Sequence, residues 1–358
     1  MKLFIMICMF VCASPLTLAA ASYTAVYDAA VLTEDVAWRG SILVRGAVVV
    51  APQATLRIEP GTVVRFTTGS AGTLPNLVVQ GRIQAAGTVE QPIVLTSDQA
   101  KPYRGAWGGV VLLATEKRNL LERCRIEYAE TGIDVRFSAI TLKAVSIAQT
   151  LTALSAHDGV VQIVGGAVAD ADTGLDIHTS EFDGKDLSIT SCQRGGLFDK
   201  SAVVLASSKI TNNKQIGLEA QESRIKFTAV EFSENALGAR ITGGEGQIAM
   251  SRFVKNGQTA LHLSGARLKI QRSQFATNTL DAIRTEDGSA LLLNNSFSAN
   301  GGFNLYNAGR ETVTARQNWW GTSDQLQIGQ KIHDSADDKN SGAVLVFPWL
   351  NEKPLLTP

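Results

Sequence analysis

The chain has 358 residues, with Lys plus Arg and Asp plus Glu at 33 each, so its formal net charge at pH 7 is zero. This balance, without a basic stretch, excludes the electrostatic footprint of a nucleic-acid binder or of a protein drawn to an anionic membrane. Hydrophobic residues make up 45% and charged residues 18%, with 32 glycines, which suits one elongated domain of short strands and many turns.

At the amino terminus Lys2 precedes an apolar run from Leu3 to Leu18, and Ala19-Ala20-Ala21 supplies small side chains before Ser22. This is the pattern of an export signal over residues 1–21, and it places the mature chain in the periplasm, at the cell surface or outside the cell. No later segment approaches the ~20 apolar residues needed to span a bilayer, so no transmembrane segment is expected in the mature chain. A lipoprotein alternative would use Cys12, but Met9-Phe10-Val11 lacks the small residue expected beside a lipidated cysteine. Cys8 and Cys12 leave with the signal, which leaves Cys124 and Cys192.

Opening coils are expected over residues 22–121, where Leu56-Arg57-Ile58-Glu59-Pro60-Gly61-Thr62, Leu77-Val78-Val79-Gln80-Gly81 and Pro92-Ile93-Val94-Leu95-Thr96-Ser97 read as strands with glycine-rich corners. A fixed spacing then begins. Large apolar residues stand at Ile126, Ile147, Val168, Ile189, Ile210, Phe232, Phe253, Phe275, Phe297 and Trp319, in steps of 21 or 22 residues, which is a solenoid signature. Within each repeat apolar residues alternate, as in Ile133 and Val135 or Leu268 and Ile270, the period of strands with one buried face. Turn-forming residues such as Asn212-Asn213, Gly243-Gly244 and Asp287-Gly288 separate about three such stretches per repeat. Helical spacing is nowhere sustained and the Leu and Asn pattern of leucine-rich repeats is missing, so the repeat reads as one coil of a parallel β-helix. Asn213, Asn235, Asn256, Asn278 and Asn300 follow the large apolar position by three residues, and a periodic amide answers a periodic structural need, a ladder at a turn. On this register Cys124 and Cys192 lie about three coils, or ~14 Å, apart. A disulfide needs Cα atoms within ~7 Å, so both are expected to be free, buried thiols.

Inward and outward positions alternate, so columns can be followed from coil to coil. Beyond the Asn turn the outward positions are Asp134 and Arg136, Ser155 and His157, Asp176 and His178, then Leu197 and Asp199. The same face continues through Glu219, Arg240, His262, Arg284, Glu286 and Tyr306. Asp134, Arg136, His157, Asp176, His178 and Asp199 form the candidate ligand-binding face, where imidazoles beside carboxylates supply acid and base groups near neutral pH or donors to a divalent metal. The alternative is a solvated polar face decorated with opposite charges. Asp176 with Asp199 is a conceivable hydrolytic pair. Coils of constant length, however, supply no long turns to wall a groove, and a site open to water loses electrostatic leverage. No catalytic residue, metal site or cofactor is assigned. The glycines at Gly72, Gly105 and Gly108-Gly109 do not precede a helix, and no Gly-x-Ser-x-Gly elbow occurs.

Regular coils are expected over residues 122–321 and a capping tail over residues 322–358. Trp319 and Trp320 fit a cap, one indole extending the inner ladder and the other lying over the last coil. The opening segment together with Asn318-Trp319-Trp320-Gly321-Thr322, Ile332, Asp334, Asp337-Asp338 and Phe347-Pro348-Trp349-Leu350 resembles bacterial right-handed parallel β-helix repeat proteins of the pectin lyase-like superfamily, over nearly all of the mature chain. The resemblance implies an all-β, single-stranded right-handed parallel β-helix with three short strands per coil. It implies no one reaction, because the superfamily includes polysaccharide lyases and hydrolases, adhesins and surface-layer proteins. The calcium-and-arginine constellation of pectate lyases is not matched. The expected function is an exported, non-catalytic scaffold or binding protein that contacts carbohydrate or a surface protein through a flat sheet face. The alternative is a carbohydrate-active lyase or hydrolase using the acidic and histidine face.

Overall fold

The computed structural model describes residues 22–67 and 74–355. The expected export signal, Cys8, Cys12 and Gly72 lie outside the described residues.

One coil shows how the chain winds. Ala202–Ala206, Lys209–Thr211 and Ile216–Gln221 form three short strands, here assigned to sheets A, B and C. Each pairs in parallel with its counterpart one coil on: Val203 with Ile225, Ile210 with Phe232, Leu218 with Ala239. The β-rich and alternating sequence favours strands, but the corners make them coil. Lys200, Ser207 and Asn212 open the three corners with φ of 49°, 49° and 57°, a left-handed conformation costing roughly 1–2 kcal/mol for a residue with a Cβ. Each is followed by a buried polar residue, Ser201, Ser208 or Asn213. These side chains accept backbone N–H bonds from the coil before: Ser180 N to Ser201 Oγ at 3.1 Å, Leu187 N to Ser208 Oγ at 3.1 Å, Cys192 N to Asn213 Oδ1 at 3.0 Å. Groups that a corner would otherwise bury unpaired are thereby satisfied between coils. Sheets A and B run on through some corners without a break, as in Ala139–Ala148 and Val160–Ala169.

The asparagines form the ladder that the spacing implies. Asn256 Oδ1 accepts from Asn235 N at 3.2 Å and Asn235 Nδ2 at 3.3 Å, while its Nδ2 donates to Phe232 O at 3.1 Å and Asn278 Oδ1 at 3.0 Å. Cys192 occupies the same column below Asn213. Both Cys124 and Cys192 are free and buried, and burial pushes the Cys124 thiol up to about 12.

The inner line runs as expected from Ile126 through Phe297, and parallel pairing extends it backward through Leu95 and Val64 to Ile42. The steps from Val64 to Leu95 and from Leu95 to Ile126 are longer because additional chain separates Phe66 from Asn76 and Ser97 from Gly109. Phe232, Phe253, Phe275 and Phe297 stack at centroid distances of 4.7, 4.8 and 5.2 Å. The last rung differs from expectation. Trp320, 3% exposed, stacks on Phe297 at 4.7 Å, whereas Trp319 is half-buried and pairs through its backbone with Ser296. The reason is one additional residue in the final coil: Asn318 caps the Asn295 N–H from 23 positions away, and Trp320 follows Asn318 as Phe297 follows Asn295. Beyond it a short helix, Gln325–Gly329, is capped by Asp324, and Ile328, Ile332 and Val344 join the core.

Replacing Asn256 by alanine removes the partners of a buried N–H and a buried carbonyl oxygen, and should lower unfolding stability by about 2–4 kcal/mol. Chemical denaturation checks this, with the exposed Asp183→Ala as the comparison expected to change little.

Candidate functional site

The candidate face is the outer surface of sheet C. In Thr131–Arg136, Thr152–His157, Thr173–His178 and Arg194–Asp199 the inward residues Ile133, Val135, Leu154, Ala156, Leu175, Ile177 and Phe198 are fully buried. Alternation then sends Asp134, Ser155, Asp176 and Leu197 outward in one register column, and Arg136, His157, His178 and Asp199 in the next.

All six predicted site residues therefore share one surface, but they divide into two groups. Asp134 is 6% exposed and is clamped by Arg136, whose Nε and Nη2 lie 2.8 and 2.6 Å from Oδ2; Oδ1 is buried without a partner among the described residues. This pair is self-contained. The second group centres on His178. Its Nε2 is 3.0 Å from Asp176 Oδ1 and its Nδ1 is 3.7 Å from Asp199 Oδ2, and the His157 ring stacks on it at 4.7 Å with planes 13° apart. Asp176 and Asp199 thus face opposite nitrogens of one ring. A half-buried imidazole flanked by two carboxylates and one more imidazole is held in one orientation.

Toward the carboxyl-terminal end Glu219 lies between Arg194 at 4.0 Å and Arg240 at 3.7 Å. Then Arg240, His262, Arg284, Tyr306 and His333 stand in one column. The Arg284 guanidinium sits 4.3 Å over the Tyr306 ring, which stacks on His333 at 4.2 Å. His333 escapes the sequence reading because its strand, Ile332–His333, comes after the helix and off the fixed spacing. All four histidines consequently lie on this face. His262 Nε2 approaches Glu286 Oε1 at 3.3 Å without hydrogen-bond alignment, a contact that is an ion pair only when the ring is protonated. Burial holds the His262 pKa below 6.5; the neighbouring Arg240 and Arg284 act in the same direction and Glu286 opposes them.

The expectation of a face without walls needs correction at one edge. Residues 98–108 leave the coil between sheets B and C and lean over the starts of sheet C strands in later coils. Gly105 N donates to Ala129 O at 3.2 Å, and Arg104 Nη1 reaches Asp172 Oδ1 at 2.9 Å. Trp107 roots the segment, stacked on Phe66 at 3.9 Å and donating from Nε1 to Glu127 O at 2.7 Å. The chain rejoins sheet C through Gly109, where φ is 115° and a Cβ would lie 1.6 Å from Thr131 O. Tyr103 is exposed on this ridge. Column reading begins at the fixed spacing and so misses an excursion that precedes it.

Three further aspartates are engaged within the protein. Asp172 holds Arg104, Asp334 accepts from Ala336 N and Val344 N, and Asp338 accepts from Asn340 N. Among the described residues no group of three His, Cys, Asp or Glu side chains is placed to hold a metal ion.

Residues 30–134 match the pectate-lyase like beta helix domain, and residues 173–320 match the right handed beta helix region. No curated protein matches in sequence. Among solved structures, a mutant of the periplasmic alginate epimerase AlgG aligns over 89% of this chain and 78% of its own with a TM-score of 0.50 and 10% identity. The Azotobacter vinelandii mannuronan C-5 epimerase AlgE4 A-module aligns over 86% and 91%, with a TM-score of 0.49 and 13% identity. Pectate lyase Pel9A aligns over 85% and 71%, with a TM-score of 0.35 and 14% identity. At 10% identity the likeness to the alginate epimerase AlgG is one of fold.

The depressed His262 pKa has a definite sign in folding. The unfolded chain binds this proton more readily than the folded one, so the contribution to stability is complete above about 6.5 and is lost as the pH falls below it. In an NMR titration the His262 resonance should show a midpoint below 6.5, and Arg240→Gln should move it upward. A midpoint at or above 6.5 would contradict the assignment.

Proposed function

The chain is a right-handed parallel β-helix protein of the pectin lyase-like superfamily, and from that premise we propose that it is an exported protein that lays an extended carbohydrate along the outer face of sheet C. The observation that carries this is the alignment, on one sheet, of His157, His178, His262, Tyr306 and His333 with carboxylates and guanidinium groups, beside the ridge of residues 98–108. Ring edges and faces offer apolar contact to sugar rings, and flanking charged groups offer hydrogen bonds to hydroxyls. Coils repeat every ~4.8 Å, so a linear polymer meets similar groups at each step. Isolated surface ion pairs contribute little to folding, so loss of these side chains should weaken binding far more than it weakens the fold. The export-signal pattern in the sequence of residues 1–21 supports a location outside the cytoplasm, and no helix among the described residues is long and apolar enough to cross a membrane. Because an alginate epimerase shares the fold, uronate polymers are the first ligands to test.

A second reading has its own observation, the placement of His178 between Asp176 and Asp199. A ring held in this way is suited to remove a proton adjacent to a sugar carboxylate, the step shared by elimination and epimerisation, with its charge offset by the two aspartates. The carbohydrate-binding reading is preferred because the ridge walls only one edge of the face.

His157→Ala with His178→Ala should weaken binding to a responsive polysaccharide by about tenfold or more, equivalent to ~1.4 kcal/mol, without lowering the melting temperature appreciably. Affinity electrophoresis across a polysaccharide panel measures this, and unchanged mobility would remove sheet C as the binding face. On the same panel, new double-bond absorbance or deuterium uptake from heavy water, lost in His178→Gln, would select the proton-transfer reading.

A further inference from the structure

We propose that sheet A carries a second, independent site, which binds a linear acidic polysaccharide. The relevant strands are Arg224–Thr228, Glu245–Ala249 and Arg267–Gln271. Ile225, Phe227, Leu268 and Ile270 are buried, so alternation turns Arg224, Lys226, Arg267 and Lys269 to the outside, where they line an open concavity of about 780 Å³. Glu245 stands between the two arginines in register and meets Arg224 at 3.6 Å. It is the one carboxylate among the residues lining the concavity. Lys226, Arg267 and Lys269 form no ion pair and no side-chain hydrogen bond among the described residues, so three cations share one hollow without protein partners. Of the nearby acids, Glu222 is paired with Lys200 at 3.9 Å and Asp287 lies exposed at the corner.

This charge is local. Along the same sheet A column the outward residues before Lys226 are Asp183 and Val204, and after Lys269 comes Leu291. Like charges collected in a concavity raise the local concentration of counter-ions, and a polymeric anion replaces many small ones with a gain in entropy. Lys226 and Lys269 lie two coils apart with Gln247 between them, or roughly 9–10 Å along the axis. A polyuronate, with a carboxylate on every unit, presents charge to both lysines at that spacing, with Gln247 available to the hydroxyls between. A lipid surface fits less well, since none of the lining side chains is an exposed large apolar group of the kind that enters a bilayer.

The site does not depend on the sheet C reading, and one set of variants separates the two. The full chain carrying His157→Ala and His178→Ala is titrated with polyuronate, with a neutral glucan and with anionic phospholipid vesicles, at low and at raised salt. Expected are residual polyuronate binding that falls with salt, no glucan binding, and a loss of about tenfold on adding Lys226→Gln and Lys269→Gln. Both lysines are exposed, and melting temperature confirms that the variants fold. The proposal is overturned if the lysine substitutions leave polyuronate affinity unchanged, if the histidine substitutions alone remove all polyuronate binding, or if vesicles are bound and polyuronate is not. If the histidine substitutions have no effect and the lysine substitutions abolish binding, sheet A stands and sheet C falls.

Discussion

The corner between strands is where this molecule is decided. A left-handed residue turns the chain, and at many corners the next side chain, an amide or a hydroxyl, reaches the backbone of the coil before it. Without that second group, corners such as those at Ser201, Ser208 and Asn213 would leave buried N–H groups of the preceding coil unpaired, each costing about 1–3 kcal/mol. With it, strain and desolvation are offset by bonds that run between coils, so the corners fasten the stack and also bend the chain. Asn256, bonded to both Asn235 and Asn278, illustrates the point: the ladder is continuous, and each rung sets the height of the next.

Register follows from these corners, and the faces follow from register. Once Asn213 lies over Cys192, the strands after each corner align, and the inner line of isoleucines and phenylalanines closes the core. Stacked rings at 4.7 to 5.2 Å reinforce a spacing already imposed by backbone pairing. The outer surfaces inherit the same order without being needed to make it. Sheet C has aromatic and ionisable groups in columns, and sheet A has cations with few carboxylates around its concavity. These outward residues contribute little to stability, which leaves them free to serve ligands.

Legibility in the sequence varied along the chain for physical reasons. From Ile126 onward nearly constant coil length makes vertical neighbours readable, so spacing alone sets His157 beside His178, as the strand register has them. Before Ile126, excursions such as residues 98–108 break the count, and neither the earlier rungs Val64 and Leu95 nor the ridge beside sheet C could be seen. At the far end one more residue moved the inner indole from Trp319 to Trp320, since a ladder follows its corners and the corner residue was Asn318. His333 was lost in the same way, beyond a helix that interrupts the period.

The amino-acid order alone determined a coil with three strands, its turn residues, its inward line and the composition of each outward column, because strand alternation and corner chemistry are local. Tertiary structure decided what the columns touch. That His178 lies between Asp176 and Asp199, that Arg104 crosses to Asp172, and that Arg267 and Lys269 have no partners among the described residues depends on side-chain direction and on chain that departs from the repeat, and neither is carried by periodicity.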